Sequence, residues 1–268
     1  MKQELAPGYF SELVDQGFNH LPICRELVAD FETPLSCYVK VAQGPYSYLL
    51  ESANQGGEKW SRFSIIGLPA RRVLRISGER LTMTESGIVT RDESVSDPLA
   101  EISDLQNQFS YPRLKGMPNY TGGLVGYFGY DTVRFVESRI KESTPPDELG
   151  SSDIVLMVSD DVIVFDNVKG RMHLITHVSA LSDEELLQAQ LRLDAMEGAL
   201  RGAIPESLRA PDVAPGLMET DFVSSYGESA FKRDVEKIKD YILAGDVMQV
   251  ILAFRAAYQS RQCRGVVH

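Results

Sequence analysis

Tyr48-Leu49-Leu50-Glu51-Ser52 and, after a short polar turn, Trp60-Ser61-Arg62-Phe63-Ser64-Ile65-Ile66-Gly67 are the stretches whose reading decides the fold. Tyr46, Tyr48 and Leu50 fall on one face of a period-two pattern, with Ser47, Leu49 and Glu51 on the other, which predicts a β-strand ending at Glu51-Ser52. Asn54-Gln55-Gly56-Gly57 reads as a turn, so the second apolar run returns beside the first. This pairing gathers Glu51, Ser52 and Arg62 at one end of a sheet. A carboxylate, a hydroxyl and a guanidinium there suit a free amino acid, its ammonium on Glu51 and its carboxylate on Arg62. On composition alone, a Glu and an Arg on adjacent strands are more often a surface ion pair of small energetic weight.

The 268 residues, 43% of them hydrophobic, suffice for one large domain or two small ones with a buried core. A net charge of -11 argues against nucleic acid and anionic membrane as partners, because both require a basic face. Cys24, Cys37 and Cys263 form no close-spaced pair, so neither a disulfide framework nor a zinc site is indicated and a reducing cytoplasm fits. The first residues lack the basic start and apolar stretch of a signal peptide, and no apolar run is long enough to span a bilayer.

Toward the N-terminus, Ser11-Glu12-Leu13-Val14 opens a short amphipathic helix ended by Gly17, and Leu21 to Asp30 is expected to be a second helix. Pro34 precedes Leu35 to Val41, expected to be the first strand. Toward the C-terminus, Arg72 to Ile76 and Arg80 to Met83 read as a hairpin within an antiparallel meander, and Pro98 to Phe109 as a helix capped by Asp97. Gly123, Gly126 and Gly129 recur at intervals that match neither the dinucleotide fingerprint nor the phosphate loop, which excludes nucleotide binding there. Several glycines in one strand imply instead the close approach of another backbone or a large ring.

Ile154 to Val158, Val162 to Phe165 and Met172 to Val178 are strand-length apolar runs, the last two forming a hairpin. Asp160-Asp161, and His173 with His177, lack a third ligand at a supporting spacing, so solvated turn charges and strand-face histidines are expected. Ser182 and Glu185 form a capping box opening a helix to Leu200, with Leu186, Leu187, Leu191, Leu193 and Met196 as its apolar stripe. Pro205 to Thr220 reads as a linker. A second capping box, Ser225 with Glu228, opens a helix that stops at Gly245.

Leu49 to Ser52 followed by Trp60 to Gly67 resembles the N-terminal signature of the large subunit (component I) of anthranilate synthases, where the Leu-Leu-Glu-Ser segment forms part of the tryptophan feedback site. Gly122 to Asp131 resembles a core strand of chorismate-utilising enzymes, and Gly245-Asp246-Val247-Met248-Gln249-Val250 resembles a strand at the start of their chorismate-binding domain. The resemblance implies an α+β fold of packed antiparallel β-sheets with outer helices. It implies a regulatory tryptophan-site domain at residues 1–204, a linker at 205–220 and the start of a chorismate-binding domain at 221–268. It carries Glu51, Ser52 and Arg62 over as tryptophan-binding residues, and no catalytic, substrate-binding or metal residue. The implied reaction is that of a carbon–oxygen lyase: chorismate with ammonia from a glutamine amidotransferase subunit gives anthranilate and pyruvate, with magnesium as cofactor and L-tryptophan as feedback inhibitor.

From about residue 251 the family pattern breaks, and the tail 251–268 contains no acidic residue although the rest of the chain is acidic. The expectation is an interrupted reading frame with the C-terminal half missing, a chain inactive alone, and weak or no tryptophan binding, because the family completes that pocket from its second domain. The alternatives are the large subunit of aminodeoxychorismate synthase and a non-catalytic tryptophan-sensing or amidotransferase-binding module.

Overall fold

The strand carrying Tyr48 and the strand after Arg62 pair antiparallel and form one edge of the first of two five-stranded sheets. The computed structural model describes residues 7–51, 62–140, 147, 150–179, 182–204, 218, 222–224, 226–252 and 256–258. The chain divides into two compact units, Met1–Arg209 and Ala210–His268.

In chain order the first unit contains α1 (Pro7–Asp15), β1 (Leu21–Val28), α2 (Pro34–Val41), β2 (Tyr48–Glu51), β3 (Phe63–Gly67), β4 (Arg72–Ser77), β5 (Arg80–Glu85) and β6 (Ile88–Ser94). It continues with α3 (Pro98–Asn107), β7 (Gly123–Phe128), two short 3-10 turns, β8 (Ile154–Ser159), β9 (Val162–Asp166), β10 (Arg171–Val178) and α4 (Asp183–Leu200). The sheets run β1-β10-β9-β3-β2 and β6-β5-β4-β8-β7, and every neighbouring pair is antiparallel. The chain crosses between sheets twice, from β3 to β4 through Leu68 to Arg71 and from β8 to β9 through Asp160-Asp161. The crossings are joined where the Leu68 amide donates to the Asp161 carbonyl at 3.0 Å.

Period-two alternation places Ile163, Phe165, Met172 and Leu174 on one face of the first sheet, against Cys37 of α2 and Ala189, Leu193, Met196 and Leu200 of α4. Val162, Val164 and Ile175 fall on the opposite face with Ile65 and Tyr120. In the second sheet Leu74, Ile76, Leu81, Ile154 and Leu156 pack against Ile102 and Leu105 of α3, whose first turn is capped by Asp97 accepting from the Leu99 and Ala100 amides.

Leu21 to Val28 is a strand, not the expected helix: all eight residues pair with β10, and Leu21, Ile23 and Leu27 recur with period two on the core face. Arg25 shares that stretch because it reaches Asp194 and Glu197 of α4 at 2.7 Å each. Leu35 to Val41, expected to be a strand, lies within helix α2. Thr33 and Ser36 form a reciprocal capping box with Pro34 in the first turn, and Cys37 and Val41 then face the core at helical spacing. On α4, Leu187 and Leu191 are exposed, so the buried stripe is Ala189, Leu193, Met196 and Leu200. Ser182 accepts from the Glu185 amide as expected, but the Glu185 carboxylate accepts from Ser179 rather than from the cap residue.

The second unit contains β11 (Phe222–Ser224) paired antiparallel with β12 (Ala256–Tyr258), and α5 (Glu228–Ala244). Gly227 is the N-cap of α5 in place of Ser225, which lies outside the described residues. Gly245 closes the helix in the left-handed region, at φ 82°, where glycine carries no steric penalty. Residues 246–250, expected to be a strand, are irregular. Among the described residues no helix is long and apolar enough to cross a membrane.

Candidate functional site

β2 and β3 bring Glu51 and Arg62 to the same end of the first sheet. Glu51 is the exposed last residue of β2, opposite Ser64, and Leu50 before it is half exposed. Ser52, with the turn that follows it, lies outside the described residues. Arg62 immediately precedes β3, and its guanidinium grips Asp166 at the end of β9, Nε to Oδ1 at 3.0 Å and Nη2 to Oδ2 at 2.6 Å. The side-chain hydrogen bond from Arg62 holds the buried Asp166 carboxyl below its usual range, and the Lys169 amide also donates to it at 3.2 Å. β3 stands between β2 and β9, so among the described residues Arg62 is paired toward β9 and not with Glu51. The two bonds to Asp166 use one N–H each of Nε and Nη2, which leaves both Nη1 hydrogens and the second Nη2 hydrogen for an external carboxylate.

Asp166 was not legible as the partner of Arg62: it lies 104 residues away at the end of an apolar run, and only the β3–β9 register connects them. The support behind β2 was equally hidden. The Tyr48 ring lies across its cross-strand partner Gly67, where a Cβ would come within 2.5 Å of the ring Cδ1. The Tyr48 hydroxyl is 2.7 Å from both the Tyr120 hydroxyl and the Ser159 Oγ, the latter in the second sheet. Burial pushes the Tyr48 phenol far up and that of Tyr120 up as well, so both groups act as neutral hydroxyls.

Asp160 and Asp161, at the crossing between sheets, are not solvated turn charges. Arg72 approaches Asp160 at 3.4 Å, Arg71 lies 3.9 Å from each carboxylate, and Asp161 accepts from Thr176 at 2.5 Å and faces Arg192 at 3.5 Å. The reversal follows from the strand register, which sets arginines of β4 and α4 around a two-residue crossing. His177 of β10 is buried beside them, its Nδ1 donating to the Asp160 carbonyl at 2.7 Å and its ring edge-on to Tyr111. A cleft of about 450 Å³ runs along this cluster, lined by His20, Arg71, Arg72, Asp160, His177 and Arg192 among others. Among the described residues no group of three or more His, Cys, Asp or Glu is placed to hold a metal ion.

The steric account of the glycine-rich strand fits at Gly126, where a Cβ would stand 2.8 Å from the Val155 carbonyl carbon and 3.0 Å from the Leu156 Cα. A side chain at Gly126 would therefore run into the backbone of β8, which accounts for the glycine there.

Comparison with known proteins gives a consistent outcome. A family profile described as chorismate binding enzyme matches residues 46–264. Anthranilate synthase component 1 of Pseudomonas putida is 43% identical over 264 residues, covering 95% of this chain and 53% of that protein. The protein of the same name from Neisseria meningitidis serogroup B is 41% identical over 249 residues, 91% of this chain and 49% of that one. The crystal structure of anthranilate synthase component I from Streptococcus pneumoniae TIGR4 superposes with a TM-score of 0.53 at 24% identity, covering 82% of this chain and 46% of that chain. Its likeness is one of fold, and it matches the α+β architecture of two antiparallel sheets with helices. The chain spans about half the length of the curated relatives it matches.

Proposed function

The chain belongs to the chorismate-binding enzyme family, and we propose that it is the N-terminal, regulatory part of an anthranilate synthase large subunit. In this reading the whole protein is a cytoplasmic carbon–oxygen lyase that converts chorismate to anthranilate and pyruvate, using ammonia from a glutamine amidotransferase subunit and inhibited by L-tryptophan. Residues 1–204 form the regulatory domain, 205–220 the linker and 221–268 the start of the chorismate-binding domain. The observation that carries the reading is 43% identity to a curated anthranilate synthase component 1, extended over 95% of the chain. The names of the relatives favour it over aminodeoxychorismate synthase and over a stand-alone sensor.

Tryptophan is held at the end of β2 and β3, its ammonium on the Glu51 carboxylate and its carboxylate on the guanidinium of Arg62, with Ser52 a third residue of the site by the sequence resemblance. The exposure of Glu51 and the fixing of Arg62 by Asp166 support this assignment. Magnesium belongs to the family reaction. The acidic pair described, Asp160 and Asp161, is occupied by Arg71, Arg72, Arg192 and Thr176 and does not fit a magnesium site, so no step is derived through the metal. No residue of this chain is assigned a catalytic role.

Amide resonances of the isotopically labelled chain, titrated with L-tryptophan to millimolar concentration and in parallel with L-alanine, test the site at the weak affinity expected from the sequence. The reading expects shifts at Leu50, Glu51, Phe63 and Ser64 with tryptophan alone. Equal shifts with alanine, or none with either, refute the assignment.

A further inference from the structure

We propose that Tyr48 is the positioning residue of this site, fixing the register and place of the strand that presents Glu51. The inference rests on the tryptophan-site reading and adds to it a residue that does not touch the amino acid.

β2 is four residues long and, among the described residues, lies at a sheet edge with β3 as its sole neighbour in the strand order. A short edge strand is the least constrained element of a sheet. Its far end is half exposed at Leu50 and exposed at Glu51, so little apolar burial holds it there. A slip of one residue would move Glu51 by about 3.3 Å and turn it to the opposite face.

Tyr48 opposes such movement in two ways. Its ring occupies the space over Gly67, the cross-strand partner, and that space exists only because Gly67 has no side chain. A slip of one residue would set the ring against Ile66 or Leu68 instead. Its hydroxyl then joins the Tyr120 hydroxyl and Ser159 Oγ, each at 2.7 Å, in a three-membered chain of hydroxyls. Ser159 is 2% exposed and ends β8 of the second sheet, so the anchor lies outside the sheet to which β2 belongs. A phenol that stays neutral can donate one of these bonds and accept the other. The edge strand is thereby tied through one side chain to a rigid point beyond its own sheet.

The test uses the full chain with Tyr48→Phe, which keeps the ring and removes the hydroxyl, and Gly67→Ala, which displaces the ring. In Tyr48→Phe the β2 amides are expected to exchange with deuterium about fivefold to thirtyfold faster, the effect of losing both hydrogen bonds of the hydroxyl, with β9 and β10 unchanged. The dissociation constant for L-tryptophan, from resonance titration, is expected to rise by a similar factor. Gly67→Ala is expected to shift both readings further in the same direction. Unchanged β2 exchange, or equal acceleration in all strands, overturns the proposal, and so does loosened β2 exchange with an unchanged tryptophan constant. If the unmutated chain shows no response to tryptophan, the site reading fails by itself, and the exchange pattern still decides whether Tyr48 holds β2.

Discussion

Gly126→Ala is expected to destabilise the first unit by about 2 kcal/mol. The added Cβ would stand 2.8 Å from the Val155 carbonyl carbon and 3.0 Å from the Leu156 Cα, well inside ordinary van der Waals contact. β8 cannot yield cheaply, because β4 is bonded to its other side and Ile154 and Leu156 are buried in the core of the second sheet. Overpacking against paired backbone sits near the upper end of the roughly 1–3 kcal/mol range, offset by about 0.5–1 kcal/mol from the stiffer unfolded chain. With a urea slope of about 2 kcal/mol per molar, the unfolding midpoint followed by far-UV circular dichroism falls by roughly 1 M. Gly198→Ala provides the opposite sign: Gly198 lies inside α4 with nothing within 4 Å of a new Cβ. That variant is expected to gain about 0.5–1 kcal/mol. A Gly126→Ala midpoint equal to or above that of the unmutated chain would refute the close-approach account of the glycine-rich strand.

Burial lowers the pKa of His20, His173 and His177 below 6.5, so each contributes stability that is present above that pH and lost as pH falls through 6.5 toward the folded values. Urea midpoints measured between about pH 8 and pH 5 should therefore decline with acid, and His177→Gln should flatten the decline; a pH-independent midpoint contradicts the burial argument. Burial also pushes the Cys24 and Cys37 thiols up to about 12, so iodoacetamide near neutral pH should leave both unmodified in the folded chain and label them in urea, as read by peptide mass. Asp97→Ala removes the acceptor for two amides of the first turn of α3 and should cost about 1 kcal/mol in the same urea assay, with Asp97→Ser recovering most of it.

Strands β3, β9 and β10 were legible as apolar runs of strand length bounded by turns, and the β4–β5 hairpin shows its turn at Gly78. β1 was not, because Cys24-Arg25-Glu26 breaks the apolar pattern, and its pairing with β10 depends on residues about 150 positions away. At α2 the β-forming Tyr38, Val39 and Val41 point to a strand, yet the Thr33–Ser36 capping box and the core contact of Cys37 decide the conformation. For the site, Glu51 and Arg62 could be brought together by local pairing alone. Asp166 under Arg62, the hydroxyl chain behind Tyr48 and the arginines around Asp160-Asp161 come from segments distant in sequence. No local periodicity encodes such meetings, and sheet order is required to see them.

In the proposed site at the end of β2 and β3, L-tryptophan is bound by both of its charged ends. The most direct test of this binding is a resonance titration of the full chain with L-tryptophan, repeated on Glu51→Gln, which keeps the shape of the side chain and removes its charge. Weak but saturable shifts confined to β2 and β3 are expected in the unmutated chain, with binding roughly tenfold weaker still in the variant, the worth of a charge-assisted hydrogen bond to the ammonium. Equal affinity in the two proteins, or saturable shifts elsewhere with β2 and β3 silent, would contradict the proposed site.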